Sequence, residues 1–77
     1  MALKKIERKR FCELCQEECS SIIYDTVISG QSNAWAYVCT RCNVTHGITH
    51  GHDERLGVGV GQKYEKKQDG TWVKVAG

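Results

Sequence analysis

The sequence predicts a small, mostly β domain, and three observations support this fold class. A chain of 77 residues has room for one hydrophobic core, so we treat residues 1–77 as a single domain. Two segments rich in β-branched and aromatic residues each surround a Gly-containing turn, which is the pattern of a β-hairpin. Five cysteines in so short a chain indicate that its small core needs additional stabilisation.

Four of these cysteines form two Cys-x-x-Cys pairs, which are separated by 23 residues. The two sulfurs of such a pair converge on one tight turn, so two pairs supply four thiolates for a tetrahedral site. A structural Zn²⁺ ion takes this ligand set, and its binding contributes on the order of 10 kcal/mol to folding. Disulfide bonds or free thiols are the alternative interpretation. The predicted ligands of one structural Zn²⁺ are Cys12, Cys15, Cys39 and Cys42.

The fifth cysteine, Cys19, follows Glu17 and Glu18, whose charges disfavour a reactive thiolate. We interpret it as a small buried residue or a bystander. An odd number of cysteines leaves at least one outside any internal disulfide. The chain has no apolar segment typical of a secretion signal or a membrane span. We therefore expect reduced cysteines and a cytoplasmic location, or a nuclear one in a eukaryote, and no secretion.

The first hairpin is predicted between residues 20 and 39, with its turn at residues 30–33. Pairing around this four-residue turn sets Val27 opposite Ala36 and Thr26 opposite Tyr37. The face with the aromatic side chains offers the larger area to bury, so we expect it to face the core. That face comprises Tyr24, Thr26, Ile28, Trp35 and Tyr37.

A Cys-x-x-Cys knuckle, a β-hairpin and a second Cys-x-x-Cys pair, in this order, resemble a zinc ribbon over residues 11–43. The resemblance implies that all four paired cysteines bind the metal. It also implies a left-handed residue, often Gly, directly after each pair. Those positions hold Gln16, which adopts this conformation poorly, and Asn43, which tolerates it. Zinc ribbons are common in transcription, replication and ribosomal proteins, but some are inert structural elements, so the resemblance alone does not define the function.

The second half of the chain divides into a Gly- and His-rich connection over residues 44–56 and a β region over residues 57–77. Asp69-Gly70 is the strongest turn signal of the sequence. A two-residue loop there predicts a second hairpin with Trp72 exposed among lysines. On its buried face we expect Tyr64, Val73 and Val75. Gly at positions 57, 59 and 61 predicts a strand face that another group approaches closely.

Three histidines, His46, His50 and His52, lie within seven residues and precede Asp53. A second metal site, or a metal-dependent hydrolase that uses this cluster, is one interpretation. Solvated loop histidines, or a histidine that orients a zinc thiolate, are the other. The sequence has no nucleophile–base pair at a diagnostic spacing, so we expect a protein that is not an enzyme.

Charge is distributed in blocks, although the net charge is only +2. Residues 1–10 carry +4 and form a basic arm, with a possible short helix over residues 2–10. Residues 12–30 carry −4, and residues 64–74 are basic again. Contacts with nucleic acid should therefore use the two ends of the chain. The predicted contact residues are Lys4, Lys5, Arg8, Lys9, Arg10, Lys63, Lys67, Trp72 and Lys74.

Together these features favour a zinc-binding module that acts on nucleic acid or on a nucleic-acid-handling complex such as a transcription or replication machine. The alternative is a small protein–protein adaptor or inhibitor, of the kind that viruses and mobile elements encode. It would dock through the acidic residues of the first hairpin region or through a sheet edge. An enzyme that uses the histidines is the third hypothesis.

Overall fold

The structure is a computed structural model, and it describes residues 10–30 and 34–77. The basic arm lies outside the described residues, except for Arg10. The helix predicted over residues 2–10 also lies outside them, and Arg10 itself belongs to a strand.

Two antiparallel sheets and one short α-helix form the described part of the chain. The smaller sheet pairs β1 (Arg10–Phe11) with β2 (Glu18–Cys19). The larger sheet has the strand order β4-β3-β5-β6, with every neighbouring pair antiparallel. Its strands are β3 (Ile22–Val27), β4 (Trp35–Val38), β5 (Gly61–Lys66) and β6 (Trp72–Ala76). Helix α1 spans Thr40–His46, and a single 3₁₀ turn spans Asp53–Arg55. The predicted small, mostly β fold with two hairpins is confirmed.

The first hairpin pairs its strands one residue away from the predicted register. Val27 lies opposite Trp35, and Thr26 lies opposite Ala36. The connection between the strands is one residue longer than predicted, since the Ile28 N–H donates to the Ala34 carbonyl at 2.8 Å. A one-residue shift exchanges the faces of a strand. The prediction that Trp35 shares the buried face with Tyr24 and Thr26 was therefore wrong, and Trp35 is 45% exposed.

The second hairpin turns at Asp69-Gly70 as predicted, but its loop has three residues instead of two. The Gly70 N–H donates to the Lys67 carbonyl, the Lys67 N–H donates to the Thr71 carbonyl, and Gly70 has a φ of +88°. This is a turn with a glycine bulge, which a three-residue hairpin loop commonly adopts. The extra residue reverses the faces of β6. Trp72 lies opposite Lys66 and is completely buried, so the prediction that it lies outward was wrong.

The remaining residues of that predicted buried face have mixed exposure. Tyr64 and Val73 are half-buried, whereas Val75 is exposed. Burial of Val75 was therefore also wrong. A second register shift, between Lys63 and Tyr64, contributes to this result because it alters which β6 residues face the core.

The larger sheet buries side chains on both of its faces. By register, Ile23 and Trp72 lie on one face, whereas Tyr24, Thr26 and Val38 lie on the other. All of them are at most 3% exposed. The same core includes three cysteines, Cys12, Cys19 and Cys42. The cysteine-bearing segments are therefore part of the core and not an appendage to it.

Candidate metal centre

The first cysteine pair lies on a tight turn between β1 and β2. The backbone N–H groups of Leu14 and Cys15 both approach the Cys12 sulfur, each at 3.4 Å. The Gln16 N–H donates to the Cys12 carbonyl at 2.9 Å and closes the turn. Gln16 has a φ of 68°, which is the left-handed conformation that the resemblance to zinc ribbons implied. The turn therefore points one sulfur at several N–H donors, as a thiolate requires.

The second cysteine pair lies at the start of helix α1. Cys39 is the N-cap of this helix, and its sulfur accepts a hydrogen bond from the Cys42 N–H at 3.5 Å. Asn43 is a helical, completely buried residue, so the prediction of a left-handed residue there was wrong. A ribbon has a second knuckle at this position, whereas this chain has the first turn of a helix. The resemblance to a zinc ribbon therefore extends to the first knuckle and the hairpin, but not to the second pair.

The structure brings the four paired cysteines together. One sulfur from each of Cys12, Cys15, Cys39 and Cys42 lies within 4.8 Å of the other three. The Cys15 and Cys39 sulfurs, which come from different pairs, are 3.8 Å apart. A tetrahedral site with zinc–sulfur bonds of about 2.3 Å has edges of about 3.8 Å, so this separation fits a shared metal ion. Among the described residues this is the one group of His, Cys, Asp or Glu side chains arranged to hold a metal.

Two residues that the sequence analysis did not single out hold the first knuckle against β4. The Glu13 N–H donates to the Tyr37 carbonyl at 2.8 Å, and the Glu13 carboxylate accepts from the Tyr37 N–H at 2.7 Å. The Arg10 guanidinium lies over the Tyr37 ring, 4.4 Å from its centroid. Because Cys39 directly follows β4, these contacts fix the distance between the two cysteine pairs. Nothing in the spacing of Glu13 and Tyr37 indicates this role, which depends on the fold.

The thiols of the cluster differ in their readiness to ionise. Burial opposes ionisation of Cys12, but the N–H groups that face its sulfur outweigh burial and lower its pKa to about 6. Burial raises the pKa of Cys42 to about 12, and hydrogen bonding with the neighbouring cysteine sulfurs raises it further in the same direction. In the metal-free protein, one thiolate therefore forms readily and a second is suppressed. A bound cation would favour ionisation of all four.

Cys19 lies outside the four-sulfur group. It is 3% exposed, and burial, followed by the charges of the other cysteines, raises its pKa to about 11. A thiol of this kind is a poor nucleophile at neutral pH. This environment agrees with the interpretation of Cys19 as a small buried residue.

The three histidines do not converge on one point in the described structure. His46 is the last residue of α1 and is exposed. The His50 ring lies 3.3 Å from the Val44 carbonyl, and the His52 ring lies 3.4 Å from the Glu54 carboxylate. No described acidic or cysteine side chain joins them in a metal-binding group.

Several predicted contact residues have partners within the protein. Lys63 forms an ion pair with Asp53 at 2.9 Å, and Asp53 also accepts from the Tyr24 hydroxyl at 3.1 Å. Lys74 donates to the Gly77 carbonyl, and Lys67 lies 3.8 Å from the Glu65 carboxylate at the surface. Together with buried Trp72, these contacts mean that the predicted aromatic and basic face does not form. The predicted residues Lys4, Lys5, Arg8 and Lys9 lie outside the described residues.

No protein-family model matches the chain, and comparisons with curated proteins and with solved structures found no significant similarity. Within the described residues, no helix has the length and apolar composition needed to cross a membrane. The class of protein therefore follows from the fold and the site alone: a small, mostly β domain with a four-cysteine cluster that can hold a metal ion.

Proposed function

We propose that this protein is a non-enzymatic binding module stabilised by one structural Zn²⁺ ion. The observation that carries the proposal is the convergence of four cysteine sulfurs from two separate pairs. Zinc favours four-sulfur tetrahedral coordination, and four protein ligands leave no open position for water or substrate. Such a site stabilises the fold and does no chemistry. It also requires reduced thiols, which suits the cytoplasm or another reducing compartment.

Metal analysis and cobalt substitution test the zinc site directly. We expect one equivalent of zinc per chain after purification without added metal. Replacement by Co²⁺ should give the intense sulfur-to-metal charge-transfer absorption of a four-thiolate tetrahedral centre. An octahedral cobalt spectrum, or less than half an equivalent of metal after incubation with zinc, would contradict the proposal.

We further propose that the module acts on nucleic acid or on a complex that handles it. The basic arm, which carries Lys4, Lys5, Arg8 and Lys9, leads directly into Arg10. Arg10 lies over Tyr37 beside the first knuckle. The arm and Arg10 therefore support a phosphate-binding surface next to the metal centre, whereas Trp72 and Lys63 do not contribute to it. Such contacts bind the backbone and carry little sequence information.

Titration of labelled single- and double-stranded oligonucleotides with the zinc-loaded chain tests this second proposal. Each phosphate neutralised on duplex DNA steepens the salt dependence of log K by about 0.9 per log unit of salt. Replacing Lys4, Lys5 and Lys9 together by Gln should weaken binding and flatten that slope. Lys74→Gln, which removes one lysine from the opposite end of the chain, is the control and should change little. Absence of binding at low salt would reject the nucleic-acid proposal.

The edge of β6 favours a second candidate, a protein adaptor. β6 is an outer strand of the larger sheet, so a partner strand can pair with it. The opposite edge is less available because Glu13 occupies the backbone of Tyr37 on β4. A pull-down with and without nuclease separates the two candidates. A protein partner that survives nuclease treatment favours the adaptor, whereas loss of all partners favours direct nucleic-acid binding.

A further inference from the structure

Three stretches of the chain contain no Asp, Glu, Lys or Arg, although 26% of all residues are charged. They are residues 26–40, 42–52 and 56–62. Backbone hydrogen bonds join them at one end of the larger sheet. The Val27 N–H donates to the Val60 carbonyl at 3.1 Å, and the Ile48 N–H donates to the Val27 carbonyl at 2.8 Å. This end of the sheet is therefore built from segments that contribute no charged side chain.

An apolar row crosses three strands at this end of the sheet. Trp35 pairs with Val27, and Val27 continues the β3–β5 ladder to Val60, so the three side chains share one face. Ile48 joins the row through its bond to Val27. Val58 stands at the neighbouring turn. We name Val27, Trp35, Ile48, Val58 and Val60 the apolar end.

Much of the apolar end is accessible to solvent. Trp35 is 45% exposed, Ile48 is 43% exposed and Val58 is 97% exposed. Isolated exposed apolar residues are ordinary, whereas a connected group that includes a Trp and lacks charge resembles the centre of a protein interface.

The turn that carries Val58 is held rigidly. The Val60 N–H donates to the Gly57 carbonyl, and Gly57 and Gly61 exchange two backbone hydrogen bonds, all at 3.0 Å. Gly59 has a φ of +80°, which an L-residue adopts only with strain. The turn therefore holds the Val58 side chain out in the solvent, where it packs against nothing that the described residues provide.

We propose that the apolar end binds the apolar end of a second copy of this chain and forms a two-fold symmetric dimer. An uncharged surface offers nothing to phosphates or to a charged partner, and its complement is another uncharged surface. A two-fold axis through this end matches each copy with such a surface and leaves the charged segments facing outward. Pairing through β6 would instead bring the Lys74 residues of two copies together.

The dimer is expected to be weak and sensitive to concentration. A stable interface commonly buries about 800 Å² per partner and involves about 20–30 residues on each side. The apolar end contains five side chains, and the described chain exposes 4938 Å² in total. We therefore expect rapid exchange between monomer and dimer, with little dependence on salt because no ion pairs are involved.

Sedimentation equilibrium of the zinc-loaded full chain, from micromolar to millimolar concentration, tests the dimer. Val58→Lys places two like charges at the proposed axis, and a side chain this exposed can change without disturbing the fold. It should weaken dimerisation at least tenfold. Gln68→Lys adds the same charge at the Lys67–Thr71 turn, at the opposite end of β5, and should dimerise like the wild type. Zinc content verifies that both variants are folded.

Three results would overturn the proposal. The first is a wild-type protein that remains monomeric at millimolar concentration. The second is Val58→Lys dimerising as strongly as the wild type. The third is a monomer whose Trp35 emission shifts when uncharged lipid vesicles are added, since the apolar end would then bind lipid. The cysteine pair at Cys39 lies at the other end of β4, about 13 Å from Trp35 at the usual rise per strand residue, so a failed dimer leaves the zinc proposal intact.

Discussion

At the scale of single residues, the positions that matter most are those where the backbone or a side chain has no room to change. The close approach predicted for the glycines at 57, 59 and 61 occurs at one of them. A Cβ on Gly61 would lie 2.7 Å from the Thr26 hydroxyl oxygen and 2.9 Å from its Cβ, whereas a Cβ on Gly57 or Gly59 would meet nothing within 4 Å. Thr26 is completely buried in the central strand β3, so it has little space to move.

We therefore expect Gly61→Ala to destabilise the zinc-loaded protein by about 1–3 kcal/mol, which is the usual cost of overpacking a core. Gly57→Ala is the matched control and should change stability by less than about 0.5 kcal/mol. Urea denaturation followed by circular dichroism measures both values. Equal stabilities of the two variants would contradict the close packing of β5 on Thr26.

The pKa values of the cysteines predict how many protons zinc displaces. Cys12, with a pKa of about 6, is already a thiolate at pH 7.5 and releases almost no proton there. Cys42, with a pKa of about 12, is protonated and releases one. Apparent zinc affinity should therefore rise with pH. Fewer than four protons should be released at pH 7.5, and the number should increase by about one at pH 5 as Cys12 becomes protonated.

Calorimetric titration of the metal-free protein in buffers with different ionisation enthalpies counts these protons. Cys19→Ala should give the same count as the wild type, because Cys19 is not a ligand. A release of four protons at pH 7.5 would show that Cys12 is not ionised in the metal-free protein.

At the scale of secondary-structure elements, the sequence predicted which segments pair but not how they are aligned. The two Cys-x-x-Cys pairs and the Asp69-Gly70 turn are local signals, and each appears where expected. Register depends on loop length, and both loops are one residue longer than predicted, which reversed the exposure of Trp35 and Trp72. Helix α1 was missed because seven residues are too few for a periodic pattern, and it depends on packing against β3 and β4.

The corrected registers predict different environments for the two tryptophans. In Trp35→Phe the remaining Trp72 should emit at short wavelength and resist quenching by acrylamide, because it is completely buried. In Trp72→Phe the remaining Trp35 should emit at longer wavelength and be quenched readily. The second variant should also lose stability, since Trp72 fills the core. If Trp72 proves the more accessible of the two, the two-residue loop is correct and the structure of the second hairpin is wrong.

At the scale of the whole molecule, the four-cysteine cluster connects parts of the chain that have few other reasons to stay together. The first knuckle follows β1, and the second pair lies between β4 and α1. Cys12 and Cys42 are also members of the hydrophobic core. A chain of this size buries limited apolar surface, so metal binding and folding should be a single equilibrium. Removing one ligand should then unfold the domain as a whole.

The most direct test of this account compares Cys39→Ser with Cys19→Ala for zinc content and for amide NMR dispersion. Cys39→Ser removes one of the four sulfurs and the N-cap of α1, and it should lose both zinc and the dispersed spectrum of a folded β protein. Cys19→Ala alters a buried cysteine outside the cluster and should keep one equivalent of zinc and a folded spectrum. If Cys39→Ser remained folded with one zinc, or if Cys19→Ala alone lost the metal, the assigned site would be contradicted.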